Sequence, residues 1–272
     1  MNEQALALQD LVKDFDGKRA VDRISFTARK GEILGRPFSE KMKDTIGYLP
    51  EERGLYRKMK VMDILVFLGE LKGLPAETIR ERGRRLLRQF ALEAYEQKKV
   101  EELSKGMAQK LQIIVTILHQ PELLILDEPF SGLDPLNIEL VTAILLEKKK
   151  EGVSIILSTH LMEYAEKIVD AVVMIDQGRK VMDGKLSEIK AQYGKKFIRI
   201  EYEGDSAFMP GLDYVRSFKD YGRAMEIELI DLGDKNRLLK ELSARVSLNA
   251  FQLTEPSLQH IFIRKVTEGG PS

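Results

Sequence analysis

Two adjacent carboxylates, Asp127 and Glu128, directly follow the short apolar run from Leu123 to Leu126. A short apolar run bounded by acids is typical of a buried parallel strand. Because α/β proteins bind ligands at the carboxyl edge of such a sheet, a nucleoside triphosphatase would use Asp127 to hold Mg²⁺ and Glu128 to orient the attacking water. A strand end that leads into a turn, with both acids merely solvated, is the alternative interpretation.

A second candidate site lies upstream, where Ser104 and Gly106 begin a helix-like stretch that Pro121 ends. Exposed amide groups and the positive end of the helix dipole make such a start a site for phosphate. A serine that only caps an amphipathic helix is the alternative. Downstream, His160 follows the next apolar strand, from which it could hydrogen-bond a γ-phosphate, whereas a lone histidine is more often structural.

The elements that position these residues alternate between helix and strand. Short alternating apolar runs around the turn signal Asp16-Gly17 predict two strands near the start of the chain, and helical spacing predicts helices across residues 61–103. Asp134 and Pro135 predict a capped helix start, and the lysines before Gly152 predict its end. The predicted helices are 104–119, 135–150 and 164–168, and the predicted buried strands are 123–126 and 153–158. This alternation predicts a parallel α/β sheet.

The pattern changes after about Lys190. A hairpin is predicted over 171–182, and beyond it residues 198–203 and 225–229 alternate between apolar and charged side chains. Such alternation is typical of half-exposed antiparallel strands, and a helix is predicted over 234–244. The sequence therefore predicts a separate, small α+β domain over 190–272.

Composition and charge exclude several classes of protein. The chain has 43 Lys+Arg against 43 Asp+Glu, so it lacks the positive field of a dedicated nucleic-acid binder. It has no cysteine, which excludes disulfides, thiolate catalysis and cysteine-based metal sites. The first residues lack the features of a signal peptide, and no apolar run approaches the roughly 18 residues of a spanning helix, so we expect any membrane role to come through a partner.

The order and spacing of these motifs resemble the ATP-binding subunit of an ABC transporter. The resemblance rests on the run 103–110, the acidic strand, the Ser-Gly-Leu-Asp loop at 131–134 and His160. It is nearest to the exporters grouped with sodium-efflux and drug-efflux systems, whose subunits carry segments similar to 46–56, 103–107 and 255–262. The resemblance covers nearly the whole chain.

This resemblance implies a fold and a set of partners. The expected fold is α/β, a RecA-like P-loop-NTPase sheet with an antiparallel β subdomain and a helical subdomain over about 61–103. These parts would form a nucleotide-binding domain over 1–189, followed by an accessory α+β domain over 190–272. The expected ligands are ATP and Mg²⁺. The expected partners are a transmembrane permease and a second nucleotide-binding domain, in a homodimer or heterodimer at the cytoplasmic face of the membrane, with no nucleic acid.

The resemblance also implies roles for single residues around a nucleotide bound by this chain. Asp127 would be the metal-side acid, Glu128 the catalytic base and His160 the switch. Phe15 stands where the family stacks an aromatic ring on adenine, although a core aromatic beside a turn is an equal alternative. Glu51 stands where most relatives have the glutamine that senses the γ-phosphate and the permease.

Three further residues would serve the opposite subunit, because the family works as a head-to-tail nucleotide sandwich. Ser104 and Gly106 would reach the γ-phosphate held by the partner. Asp134 would lie at the interface between the two subunits.

The family pattern departs after Ile33. No G-x-x-x-x-G-K-[ST] phosphate loop occurs in the sequence, and only residues 34–45 separate Ile33 from Ile46. That loop cradles the phosphates with backbone amides and its lysine. Loss of about three charge-assisted hydrogen bonds would weaken ATP binding by about 5–9 kcal/mol, or roughly 10³–10⁶-fold. The sheet would also lose a covering helix and expose apolar surface.

Other hypotheses follow from this departure. The chain could be a non-catalytic subunit or scaffold that supplies only Ser104 and Gly106 in trans, or a truncated product that folds poorly. A DNA-repair or chromosome-maintenance ATPase with the same head fold is disfavoured, because no long heptad run separates two halves of the chain.

Overall fold

The structure is a computed structural model, and it describes residues 6–15, 18–28, 40–51, 54–176, 178–193 and 197–268. Side chains are described within these ranges from residue 43 to residue 267. The chain divides into two compact units. The first comprises Met1–Val169 with Gln177–Arg179, and the second comprises Asp170–Asp176 with Lys180–Ser272. The boundary at 189/190 inferred from the sequence stays a prediction.

The first unit combines an antiparallel hairpin, a parallel sheet and helices. Its elements, in chain order, are β1 (Leu6–Phe15), β2 (Lys18–Ala28), β3 (Ile46–Leu49), α1 (Val61–Leu71), α2 (Ala76–Gln89), α3 (Lys105–Leu118), β4 (Leu123–Asp127), α4 (Pro135–Lys150), β5 (Ser154–Ser158) and α5 (Met162–Ile168). Strands β1 and β2 pair antiparallel, as the sequence pattern predicts. The turn signal Asp16-Gly17 lies outside the described residues.

A three-stranded parallel sheet with the order β3-β4-β5 forms the centre of this unit. Leu49 pairs with Leu126, and Leu126 pairs with Leu157. The face that carries Leu49 and Leu126 is buried in the main core, with both side chains 1% exposed. On the other face Ile125 is half-buried and Tyr48 is 59% exposed. Leu123 on the same face is only 6% exposed, so a large exposed apolar surface left by a missing helix stays a prediction.

The ends of α4 follow from its sequence. The Asp134 side chain accepts a hydrogen bond from the backbone N–H of Asn137, and Pro135 occupies the first turn. Three lysines, 148–150, lie in the last turn, where the helix dipole is negative. Gly152 follows the cap residue with φ of 92°, a conformation that glycine adopts at little steric cost.

A buried lysine joins α2 to α3. Lys110 of α3 is 6% exposed, and its Nζ donates to the carbonyl oxygen of Phe90, 2.7 Å away, at the C-terminal cap of α2. The cation thus satisfies a helix-end carbonyl at the negative end of the α2 dipole. Burial lowers the pKa of Lys110 because desolvation disfavours its charged form.

The second unit is α+β. Its elements are β6 (Ala171–Asp176), β7 (Arg179–Lys185), α6 (Leu186–Tyr193), β8 (Phe197–Glu203), β9 (Val215–Asp220), β10 (Ala224–Leu229), α7 (Lys235–Arg245), β11 (Ser247–Thr254) and α8 (Leu258–Glu268). An antiparallel sheet has the order β11-β8-β10-β9. Its central strands, β8 and β10, are the two that the alternation of apolar and charged residues predicts. The edge strands β9 and β11 are largely exposed and lack a clear apolar alternation, so the sequence did not predict them.

A buried carboxylate, Glu228 of β10, anchors α8 within the second unit. Glu228 is 5% exposed, and its Oε1 lies 2.9 Å from Nη1 of Arg264 and 3.5 Å from Nε of Arg216. Its Oε2 accepts from Oγ of Ser217 at 3.2 Å and lies 3.5 Å from Nε2 of His260. Both carboxylate oxygens therefore have partners, which offsets the cost of burying the charge.

Substitution of Glu228 by Ala is expected to destabilise the second unit by about 3 kcal/mol, because it leaves two guanidinium groups facing each other without their carboxylate. Native-state hydrogen exchange of the β10 amides measures this free energy. The control is Glu226→Ala, a carboxylate on the same strand that is only half-buried. Equal effects of the two substitutions would contradict the anchoring role.

Candidate functional site

The parallel register brings the carboxyl ends of three strands to one edge of the sheet. Leu49 pairs with Leu126, and Asp127 pairs with Ser158. Glu51, Glu128 and His160 each follow one of these strand ends by one or two residues. The edge at which α/β proteins bind ligands therefore carries three predicted carboxylates and the predicted histidine.

Glu128 contacts the turn that follows β5 through both of its carboxylate oxygens. Its Oε1 accepts from the backbone N–H of His160 at 3.0 Å and lies 2.9 Å from Nδ1 of the same residue. Its Oε2 accepts from Oγ1 of Thr159 at 3.2 Å. The predicted base and the predicted switch residue are thus in direct contact, and the backbone N–H and the hydroxyl set the direction of the carboxylate.

The backbone at Glu128 is left-handed, with φ of 46°. This conformation costs a residue with a Cβ about 1–2 kcal/mol, so neighbouring groups must hold it. The Glu128 N–H donates to the carbonyl of Ser158 at 3.0 Å, and the Glu128 carbonyl accepts from the N–H of Ser131 at 3.0 Å. The turn after β4 is therefore fixed to the neighbouring strand and to the loop that follows it.

Asp127 ends β4 and accepts a hydrogen bond from the Ser158 hydroxyl. The same hydroxyl lies 3.5 Å from the carbonyl oxygen of Leu126. Within the described ranges, no group of three or more His, Cys, Asp or Glu side chains is placed to hold a metal ion. Asp127 is thus positioned as a single acid beside a hydroxyl, rather than within a ligand set made by the protein alone.

The N-terminus of α3 forms a second part of the site. Ser104 has φ of −64° and ψ of 167°, and its Oγ accepts from the N–H of Met107 at 3.3 Å. A Cβ added at Gly106 would lie 3.1 Å from the carbonyl oxygen of Gly132, so the helix start packs directly on the loop before α4. Gly132 itself has φ of 73°, which favours glycine at that turn. Ser104 and Gly106 are therefore placed next to the 131–134 loop.

Asp134 caps α4 with both carboxylate oxygens. Oδ1 accepts from the N–H of Asn137 at 2.9 Å, and Oδ2 accepts from Nδ2 of Asn137 at 2.7 Å. These hydrogen bonds, that of the backbone N–H first, lower the pKa of Asp134. The residue therefore has a local capping role within its own chain, beside the interface role that the resemblance implies.

Two predicted residues are less well defined by the structure. Phe15 ends β1, but its side chain lies outside the described residues, so adenine stacking stays a prediction. Glu51 is exposed beyond the end of β3.

Sequence reasoning missed three polar residues around Glu128. Ser158 and Thr159 supply hydroxyl donors to Asp127 and Glu128, and Gln109 of α3 donates to the carbonyl oxygens of Glu128 and Pro129. Two adjacent hydroxyl residues at a strand end, directly before a histidine, were the available signal for the first two. No local signal distinguishes Gln109, because its partners lie about twenty residues away along the chain.

The described residues fit only part of a site for Mg²⁺ and ATP. They provide an acid at the sheet edge, a carboxylate directed by a turn, and a capped helix start. The amide cradle for the phosphates is not among them, and its motif is absent from the sequence. Whole Mg²⁺–ATP therefore does not fit the described residues of one chain.

Two family models match parts of this chain. The family model described as "ABC transporter" matches residues 21–131, and that described as "ATP-binding protein DrrA1-3-like, C-terminal domain" matches residues 184–266. The uncharacterized ABC transporter ATP-binding protein YhaQ of Bacillus subtilis is 44% identical over 89% of this chain and 82% of its own length. A second relative, BpOF4_11395 of Alkalihalophilus pseudofirmus, is 42% identical over 82% of this chain and 84% of its own.

Solved structures show the same fold. The solved structure of an ATP-binding subunit of an ABC transporter matches with a TM-score of 0.59 and 28% identity, over 69% of this chain and 92% of that one. CbiO1 from Clostridium perfringens has a TM-score of 0.57 at 24% identity, over 70% of this chain and 92% of its own. The fold is therefore the α/β, RecA-like P-loop fold of ABC ATPase domains, as the sequence predicts.

This chain belongs to the family of ABC transporter ATP-binding proteins. Members of this family in general bind nucleotide with Mg²⁺, dimerise and pair with membrane permeases. None of the helices in the described part of the chain has the length and apolar character that crossing a bilayer requires.

The cap at Asp134 predicts a pH dependence of stability. Because the folded pKa lies below the ordinary value of 3.8, the stabilisation is complete above that pH and is lost as the pH falls through the folded pKa. We expect wild type to lose stability relative to Asp134→Ser, which keeps a neutral cap, on acidification below about pH 4. Urea unfolding between pH 7 and pH 3 measures the difference. If the free energy of unfolding depended on pH in the same way for wild type and Asp134→Ser, the prediction would be wrong. Glu81→Gln, in the middle of α2, is the control.

Proposed function

We propose that this chain is the ATP-binding, ATP-hydrolysing subunit of an ABC exporter, which acts at the cytoplasmic face of the membrane and powers transport through a separate permease. The observation that carries the proposal is the contact of Glu128 with His160 and Thr159 at the carboxyl edge of the parallel sheet. A carboxylate held by two backbone-fixed partners is pre-oriented, which is what a base that acts on water needs.

The proposed roles divide between two faces of the chain. On this chain's own face, Asp127 would stand on the metal side, Glu128 would act on water, and His160 would respond to the γ-phosphate. On the opposite face, the start of α3 at Ser104 and Gly106 would meet a phosphate on the partner subunit. Support for the second role comes from the N-terminus of α3 at Ser104, where the helix dipole is positive and favours an anion.

Export, rather than uptake, is supported by the relatives. The linearmycin resistance ATP-binding protein LnrL of Bacillus subtilis is 28% identical over 86% of this chain and 78% of its own length. Resistance to a compound is the function that export provides, so we assign this chain to exporters.

The permease is proposed to contact the helical segment 61–103. A cleft of about 450 Å³ lies at the C-terminal end of this segment. Its walls combine apolar side chains with both signs of charge, a composition suited to a protein segment, and are formed by Leu55, Arg57, Val100, Glu101, Leu103, Ser104, Lys105 and Ala108.

A non-catalytic subunit that supplies only Ser104 and Gly106 in trans is the second candidate. It is favoured by one observation, namely that the sequence keeps the signature helix start and lacks the phosphate loop. The two candidates differ in whether this chain binds ATP on its own face.

A calorimetric titration of the purified chain with Mg-ATP separates these candidates. The first candidate predicts saturation at about millimolar ATP, because the missing phosphate cradle weakens binding. The titration is repeated with Glu128→Gln to suppress turnover. Saturable binding at micromolar ATP would contradict this expectation and would show that another segment supplies the cradle. Failure to bind at millimolar ATP by a folded chain would favour the trans-acting subunit.

Purification of the tagged chain from detergent-solubilised membranes of its native cells tests the permease. We expect a multi-spanning membrane protein to co-purify with the tagged chain in an equimolar amount. Glu101→Arg, which reverses a charge in the cleft, is expected to reduce this recovery at least about tenfold. Glu81→Arg, an exposed change on α2 outside the cleft, is the matched control. Equal recovery with both variants would contradict the proposed docking surface.

A further inference from the structure

A glutamine inside α3 is linked to the backbone at Glu128. Gln109 is 3% exposed, and its Nε2 lies 3.1 Å from the carbonyl oxygen of Pro129 and 3.4 Å from that of Glu128. Both partners are acceptors, so the carboxamide must present its NH₂ group, which has two donors for two carbonyls. The orientation of the side chain is thereby fixed by its surroundings.

The residue that Gln109 holds is the one with the unfavourable backbone. Glu128 has φ of 46°, and its carbonyl also accepts from the N–H of Ser131. A left-handed residue with a Cβ persists only where neighbouring groups determine it. Gln109 is the described side chain that donates to this carbonyl, and it does so from a helix in the main core.

Contacts of the same helix extend along the following loop. Gly106, one turn before Gln109, packs on the carbonyl of Gly132, and the side chain of Lys105 also packs against Gly132. The first two turns of α3 therefore touch the segment from Glu128 to Gly132 at both of its ends. A displacement at the start of α3 must be transmitted to this segment, because close-packed groups cannot move independently.

The direction of the Glu128 carboxylate depends on this backbone. Its oxygens reach His160 and Thr159 only while residue 128 keeps its left-handed conformation, since φ determines where the Cβ points. A substitution at Gln109 is therefore expected to alter the contact between Glu128 and His160. This effect needs no direct contact between the side chains of Gln109 and His160.

We propose that Gln109 is a positioning residue that holds Glu128 in its left-handed conformation and couples the phosphate-facing start of α3 to the carboxylate of the same chain. The coupling to turnover rests on the function proposed above. The positioning of Glu128 does not, because it is a property of the folded chain without nucleotide.

Hydrogen–deuterium exchange of the purified chain tests the positioning. Gln109→Leu keeps the volume and removes both donors, and we expect exchange at least about tenfold faster in peptides covering residues 128–134 and 159–163. Those peptides contain the amides of Ser131 and His160, which donate to the Glu128 carbonyl and carboxylate. Gln109→Asn keeps the amide but shortens the side chain, and it is expected to accelerate exchange in the same peptides. This variant replaces Gln109→Leu in the experiment if the leucine variant folds poorly.

The matched control is Gln112→Leu. Gln112 is also a buried glutamine of α3, 5% exposed, and its Oε1 has no hydrogen-bond partner among the described residues. Replacement of Gln112 by Leu is expected to leave the exchange rates of both peptides unchanged. Wild-type exchange rates in both Gln109 variants, or equal acceleration in Gln112→Leu, would overturn the proposal.

A second measurement addresses the coupling. In the detergent-solubilised complex with the permease, Gln109→Leu is expected to lower kcat for ATP hydrolysis at least about tenfold with KM for ATP unchanged, while Gln112→Leu changes neither. An unchanged kcat in Gln109→Leu would overturn the coupling. A wild-type complex without ATPase activity would refute the proposed function instead, and the exchange experiment would still decide the positioning.

Discussion

The left-handed turn at Glu128 is the constraint on which the rest of the site depends. It lies where β4 ends, where the loop to α4 begins, and where the side chain of Gln109 reaches from α3. If residue 128 kept the extended conformation of β4, its side chain would point away from the turn after β5. The unfavourable φ of Glu128 persists because hydrogen bonds to three different segments hold the backbone of this residue in place.

Two surfaces of one unit are thereby joined. The sheet edge carries Asp127, Glu128 and His160, and the start of α3 carries Ser104 and Gly106. Under the function proposed above, these surfaces would face different nucleotides of a head-to-tail pair. A rigid link within the chain, through α3 and the 128–132 segment, gives such a pair a physical means to couple its two sites.

The sequence lacks the phosphate loop, and the described parallel sheet is nevertheless formed. The three described parallel strands keep their register, and the core beneath them is closed by α3 and α4. On the opposite face of the sheet, Tyr48 is exposed. Hydrophobic burial is spread over many residues, whereas a phosphate cradle is a single geometric arrangement, so only the latter is lost with a short segment.

Much of this architecture was determined by the sequence itself, because strand periodicity, helix caps and the ordered motifs are local. The N-cap at Asp134, the strand before Asp127 and the capped start of α3 at Ser104 are of this kind. The tertiary structure decided how Glu128 is directed, that Gln109 supports it, and that Glu228 anchors α8. Those contacts join residues about twenty or more positions apart, and edge strands such as β9 form only by pairing with a neighbour. Sequence patterns describe which face of an element is apolar, but packing alone determines which polar groups meet.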